Sequence, residues 1–148
     1  MTPVFRLAEP KDYFGLAKIW DASWQSTGVT SPETLSTPEL AERLKSEVSS
    51  GADLYAVEDA DECLGLLMLQ VPKRQLSQLF LAPDAQGRGL GVECIRFTES
   101  ALPNGFWLTV AEANLRARRF YERCGLAASE TVPRPEYDRM DIRYVWTP

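Results

Sequence analysis

Gln86-Gly87-Arg88-Gly89-Leu90-Gly91 is the stretch on which the reading of this chain turns. It follows an apolar, strand-like run, Leu76 to Ala82, closed by Pro83-Asp84, and it opens an amphipathic segment with helical spacing. A strand, a glycine-rich turn and a helix start together form an anion site. Glycines let backbone N–H groups come close to a phosphate, and the unpaired amides and positive dipole end of the helix favour its charge. The ligand to expect is therefore one with phosphates, and a nucleotide-bearing cofactor comes first.

Spacing separates the glycine loops that could do this. A Walker A loop requires a Lys after its last Gly, and none follows here. A dinucleotide fingerprint, G-x-G-x-x-G, is met by Gly87 and Gly89 but has Val92 at its third glycine. The acidic residue expected roughly 20 residues further on also has no convincing partner after Phe106–Val110. What remains is Q-x-x-G-x-G.

A second segment lies downstream, Asn114-Leu115-Arg116-Ala117-Arg118-Arg119-Phe120-Tyr121-Glu122-Arg123-Cys124-Gly125. Ala117, Phe120, Tyr121 and Cys124 fall at i, i+3, i+4 and i+7, one face of a helix. Asn114 suits its N-cap, and Gly125 suits the residue just past its end. Taken alone, this is a capped amphipathic helix packing on a sheet.

In order and spacing, the two segments together resemble the GNAT superfamily of acyl-CoA-dependent N-acyltransferases. Q-x-x-G-x-G resembles its pyrophosphate loop, and N-x-x-A-x-x-F-Y-x-x-x-G its following helix. The resemblance implies that acetyl-CoA is the cosubstrate and that no metal is needed. The backbone around Leu79, Phe80 and Leu81 would pair with the pantetheine arm. The amides of Gln86, Gly87, Arg88, Gly89, Leu90 and Gly91 would hold the pyrophosphate, with Arg88 adding positive charge. Asn114 would contact the pantetheine, although as a helix cap it needs no ligand. Tyr121 stands at the family's general-acid position. A phenol near pKa 10 is protonated at neutral pH and can donate to a departing thiolate whose conjugate acid lies near 8.5.

The family often carries an acid in the strand before the glycine loop, and Leu76-Ser77-Gln78-Leu79-Phe80-Leu81 has none. Gln78 cannot take a proton. Stripping an alkylammonium near pKa 10.4 at pH 7 costs roughly 4.6 kcal/mol, against about 1.4 kcal/mol for an α-amine near 8. Two routes stay open: a low-pKa amine served by a water relay, or a carboxylate from elsewhere, with Glu112 as the candidate. Trp24, Gln25 and Tyr137 are the candidate lining of the acceptor pocket, which draws on Trp20 to Thr30 and the last hairpin. Ser23-Trp24-Gln25 resembles the first-helix region of several small-molecule members, so a small primary amine is expected, or a peptide N-terminus.

Bulk properties agree. The chain has 148 residues, 45% of them apolar, and is read as one domain over residues 1–148 with room for a core. Its net charge of −5 argues against nucleic acid and mildly favours a cationic acceptor. There is no basic-then-apolar leader and no apolar run near the roughly 18 residues of a membrane span, so a cytoplasmic protein is expected, with a homodimer possible. Cys63, Cys94 and Cys124 read as buried small hydrophobes outside any disulfide or zinc site. The absence of histidine excludes Ser-His and Cys-His nucleophilic chemistry.

Periodicity gives the order β-α-α-β-β-β-α-β-α-β-β. Tyr13, Leu16, Ala17, Trp20 and Trp24 mark a first helix, followed by a loop or broken helix from Gln25 to Ser36. Leu40, Leu44 and Val48 mark a second helix, capped by Thr37 with Pro38 in its first turn. Pro133 and Pro135 mark a turn before the last strand. The fold class is mixed α/β (α+β). The GNAT resemblance implies a mostly antiparallel central sheet of about seven strands with one right-handed parallel β-α-β crossover, flanked by about four helices. The rival to an enzyme is a non-catalytic acyl-CoA-binding module, suggested by the missing strand carboxylate.

Overall fold

The computed structural model describes residues 2–29 and 35–148. The elements run β1 (Val4–Leu7), α1 (Tyr13–Ser26), α2 (Thr37–Ser49), β2 (Asp53–Asp59), β3 (Glu62–Gln70), β4 (Gln75–Leu81), α3 (Leu90–Ala101), β5 (Phe106–Ala111), α4 (Leu115–Arg123), β6 (Ala127–Arg134) and β7 (Arg139–Trp146). This is the order that periodicity gave. The seven strands form one sheet in the order β1-β2-β3-β4-β5-β7-β6, and the β4–β5 pair is the parallel one.

Both faces of the sheet are covered, because the central strands are apolar on both sides. In β3, Leu66 and Met68 join a cluster with Leu16, Ala17 and Trp20 of α1 and Leu40 and Leu44 of α2. The alternate residues Leu67 and Leu69 join Leu90, Cys94 and Ile95 of α3 on the opposite face. This is the period-two alternation of a strand buried on both sides.

The parallel pair is barely a pair. β4 and β5 are in register only at Gln75 and Trp107, near their starts, and then splay. β3 pairs with β4 along its length on the other edge, with a register shift at Met68/Leu69 that leaves Ser77 of β4 between paired residues. The edge of β4 facing β5 therefore carries unpaired backbone groups inside the fold. Such groups are costly to leave unsatisfied, and an extended ligand can satisfy them by adding as a strand.

Four details differ from the sequence reading. The first helix continues through Gln25 to Ser26 before the chain turns at Thr27 and Gly28; Thr30 and Pro32 of the expected loop lie outside the described residues. The cap of α2 is Ser36, not Thr37: Ser36 Oγ accepts from the Glu39 N–H at 3.3 Å, and Glu39 Oε1 accepts from the Ser36 N–H at 3.1 Å. This reciprocal box satisfies two backbone donors at the helix start, and it falls on Ser36 because Ser36 is the extended residue just before the helix. Pro133 lies within β6 rather than in the turn; β6 is at the sheet edge, where a missing N–H costs nothing. Cys94 is fully buried, but Cys63 and Cys124 are only half-buried. Among the described residues no helix is long and apolar enough to cross a membrane.

Candidate active site

The splay of β4 from β5 opens a cleft of about 1250 Å³ that passes from the α3/α4 side of the sheet to the α1/α2 side. Its α3 end is made largely of backbone. Gly87 and Gly89 adopt φ of +81° and +82°, a region that strains any residue with a Cβ, and Gly89 is the N-cap of α3. A Cβ on Gly91 would stand 2.9 Å from the Phe120 ring, so the bare Gly91 lets α3 and α4 come together around the cleft. Gln86 steadies the loop by donating from Nε2 to the Leu81 carbonyl at 3.1 Å.

α4 supplies the next wall. Asn114 Oδ1 accepts from the Ala117 N–H at 3.3 Å, capping the helix at the cleft margin. Tyr121, two turns beyond Asn114, also lines the cleft, and its ring centroid lies 6.2 Å from that of Tyr144. The two tyrosines differ in what their hydroxyls do. Tyr144 donates to Glu122 Oε2 at 2.5 Å and accepts from Arg118 Nε at 3.2 Å, tying α4 to β7. Tyr121 has no hydrogen-bond partner among the described residues. Burial, reinforced by the nearby Cys94 and Cys124 thiols, pushes its phenol well above the ordinary tyrosine value, so its proton stays on throughout the neutral range. Cys94 itself is pushed up to about 12 by burial and is inert as a nucleophile.

The α1/α2 side is built from side chains. Trp20 stacks on Phe80 of β4 with centroids 5.0 Å apart, and the Arg43 guanidinium lies 5.2 Å above the Trp20 ring. At the hairpin, the Arg139 guanidinium lies 5.1 Å from the Trp24 ring centroid and 4.9 Å from that of Tyr137. It also donates to the buried Asp141 at 2.9 Å, and Arg134 donates to the other Asp141 oxygen at 3.3 Å.

Among the residues expected from sequence, Leu79, Phe80, Leu81, Gln86, Gly87, Gly89, Gly91, Asn114, Tyr121, Trp24 and Tyr137 all line this one cleft. Arg88 instead turns away, its guanidinium donating to the Asp84 carbonyl at 2.6 Å. Leu90 is packed in the core. Gln25 is exposed and donates to Asp21 at 3.4 Å. Glu112 lines not the cleft itself but a smaller, adjoining hollow with Thr27, Gly28 and Asp138. The charged residues of the cleft escaped the sequence reading, Glu47, Arg43, Lys73, Arg139 and Asp141 among them. A signal existed for Glu47, which lies at i+7 from Leu40 and i+3 from Leu44 and so shares their buried stripe.

The sequence profile described as the Acetyltransferase (GNAT) family matches residues 16–126, three quarters of the chain. The chain belongs to the GNAT acetyltransferase family. No curated protein sequence matches it. Among solved structures it is similar to an acetyltransferase from Thermus thermophilus, with 21% identity, all of this chain and 98% of that one covered, and a TM-score of 0.82. It is also similar to the PaiA N-acetyltransferase from Thermoplasma acidophilum in complex with coenzyme A, with 18% identity, 97% and 98% covered, and a TM-score of 0.75. A mutant of the spermidine N-acetyltransferase SpeG from Vibrio cholerae gives 21% identity, 98% and 93% covered, and a TM-score of 0.72. At these identities the likeness establishes the GNAT fold.

Proposed function

We propose that this GNAT chain is a single-domain, cytosolic N-acetyltransferase that moves the acetyl group of acetyl-CoA to a primary amine of a small molecule. The observation that carries the reading is the splay itself: β4 and β5 touch only at Gln75–Trp107, and the opened β4 edge leads straight to the glycine loop. The pantetheine arm would take the place of the missing strand along Leu79 to Leu81. The pyrophosphate would sit on the amides of Gly87 through Gly91 at the start of α3, where the helix dipole favours its charge. The coenzyme A complex of PaiA supports this assignment. Arg88, engaged with Asp84, is left as a loop residue that reaches phosphate only by releasing that contact.

In the proposed reaction a neutral amine attacks the thioester carbonyl directly, the C–N bond forms, the C–S bond breaks, and Tyr121 protonates the leaving thiolate. The Tyr121 hydroxyl is free to do so, unlike that of Tyr144. The base for the amine is water-relayed or comes from a carboxylate. Glu112 keeps that role only if it reaches the amine from its adjoining hollow, which shares Thr27, Ala111, Ala113 and Arg139 with the cleft. A small amine is favoured by the aromatic, closely walled acceptor side and by the spermidine enzyme among the structural relatives.

Acetyl-CoA titrated by calorimetry, followed by thiol release with a panel of amines, tests the proposal. Saturable binding with amine-dependent thiol release supports it. Binding without turnover of any amine would leave the acyl-CoA-binding module, a reading that the uncharged Gln78 in β4 keeps open. No binding ends both readings. Gel filtration checks the homodimer that the family resemblance suggests.

A further inference from the structure

Most charges on the acceptor side are already engaged. Asp141 holds Arg134 and Arg139, and Asp21 accepts from Gln25 and from the Thr37 hydroxyl. The exception lies near Gln75, where β4 and β5 meet. Here Glu47 of α2 lines the cleft with Gln70, Lys73 and Gln75. Its Oε2 is buried and has no hydrogen-bond partner, the one such side-chain atom among the described residues. Buried polar atoms are rarely left unpaired, so this oxygen is open to a donor. The neighbouring Arg43 does not supply it: its Nε lies 3.8 Å from the other oxygen, too far for a hydrogen bond. The Arg43 guanidinium instead lies over the Trp20 ring, and Arg43 lines the cleft.

The local charge decides what would fit. Arg43 and Lys73 outnumber Glu47, so a purely cationic group would gain Glu47 but meet two like charges. A purely anionic group would suit Arg43 and Lys73 but leave Glu47 Oε2 unpaired beside a second negative charge. A group with both signs a few ångströms apart satisfies all three. Resting on the acetyltransferase reading above, we propose that Glu47 and Arg43, with Lys73, bind a zwitterionic α-amino-acid head group on the acceptor, the ammonium on Glu47 Oε2 and the carboxylate on Arg43 and Lys73, while a second amine of the same molecule reaches the thioester. The acceptor class is then a free diamino acid rather than a polyamine or a simple alkylamine.

Four amines that share one reacting arm separate the contributions: L-lysine, cadaverine (no carboxylate), ε-aminocaproate (no α-amine) and n-pentylamine (neither). The series is repeated with L-ornithine and its shortened analogues to allow for reach. The expected result is a kcat/KM for one of the diamino acids at least tenfold above both of its single-charge analogues. Glu47→Gln lowers the preference for that diamino acid over its α-amine-free analogue by tenfold or more, the size of one lost charge-assisted hydrogen bond. Arg43→Gln independently lowers its preference over the carboxylate-free analogue, and melting curves confirm that both variants are folded. Equal rates across the series, a preference for cadaverine or ε-aminocaproate alone, or unchanged ratios in Glu47→Gln would overturn the inference while leaving the acetyltransferase reading standing. Calorimetric binding of the same amines to the CoA-saturated protein gives a readout free of turnover. Glu47-dependent binding of a diamino acid without any acetyl transfer supports the head-group site and sinks the enzyme, whereas no binding of any diamino acid to the parent sinks the site.

Discussion

On the α3/α4 side, the cleft is walled by main chain: an unpaired strand edge, two glycines in left-handed conformation and a helix start. On the α1/α2 side it is walled by side chains from α1, α2 and the β6–β7 hairpin, with stacked aromatics and a mixture of free and engaged charges. Main chain recognises what every member of a family shares, because any sequence that keeps the glycines keeps the amides. Side chains are where one protein differs from its relatives. The structure thus divides a proposed common cofactor from a particular acceptor, and the division can be broken from either side.

The largest expected effect is on the main-chain side's proposed general acid, Tyr121. Tyr121→Phe keeps the ring, which touches the core, and removes the hydroxyl. We expect kcat to fall by about a hundred- to ten-thousand-fold, the usual contribution of a general acid, with acetyl-CoA affinity unchanged. The burial that keeps this phenol protonated also predicts that the parent rate shows no falling limb from Tyr121 as pH rises through the neutral and mildly alkaline range. A Tyr121→Phe rate equal to the parent's would move the acid role elsewhere.

Leu44→Ala acts on the opposite side. Leu44 is fully buried between α2 and the sheet. Its truncation is expected to cost about 3 kcal/mol of stability by leaving a cavity. Below the melting transition, KM for the amine should rise while acetyl-CoA affinity holds. If both parameters move together, the two sides are one cooperative unit and the division fails. Gly89→Glu makes the mirror test. A side chain there meets no steric neighbour but has to adopt φ near +82°, and its carboxylate would face the phosphates. A loss of about a hundredfold in acetyl-CoA affinity is expected, from strain of about 1–2 kcal/mol and like-charge repulsion.

The same division explains what was legible in the sequence. Gly87, Gly89 and Asn114 could be read because each answers a local backbone need, a positive φ or a cap. Tyr121 could be read because it shares a helical face with Ala117 and Phe120. The element order followed from periodicity alone, down to the helix between the two parallel strands. The Arg88 guanidinium, expected to add positive charge, turns to the Asp84 carbonyl instead, because sequence adjacency to a loop does not fix a side chain's direction. Glu112 was placed by its nearness to the end of β5, but the chain turns there and carries it to another hollow. The acceptor side was harder because its residues meet only in space. Arg139 is gripped by Trp24, far away along the chain, and no pattern in α1 announces it.

The smallest effect concerns Glu47, and its sign is the informative part. Burial raises its carboxyl above the ordinary value, and this outweighs the lowering by Arg43 and Lys73. A carboxyl with a folded pKa above its unfolded one adds most to stability when protonated. That contribution is fully present below the unfolded pKa near 4.3 and is lost as pH climbs through the folded value. At neutral pH the charged Glu47 is therefore a net burden on the folded state. The Arg43 contact offsets little, since a long, part-exposed ion pair contributes about 0–1 kcal/mol. Glu47→Gln should accordingly melt at a higher temperature than the parent at pH 7, with the gap closing as pH falls through the mildly acidic range. A structural carboxylate would behave in the opposite way, since its removal would lower the melting temperature at pH 7. A residue whose replacement steadies the fold but blunts the choice between a diamino acid and its α-amine-free analogue is one kept for its ligand.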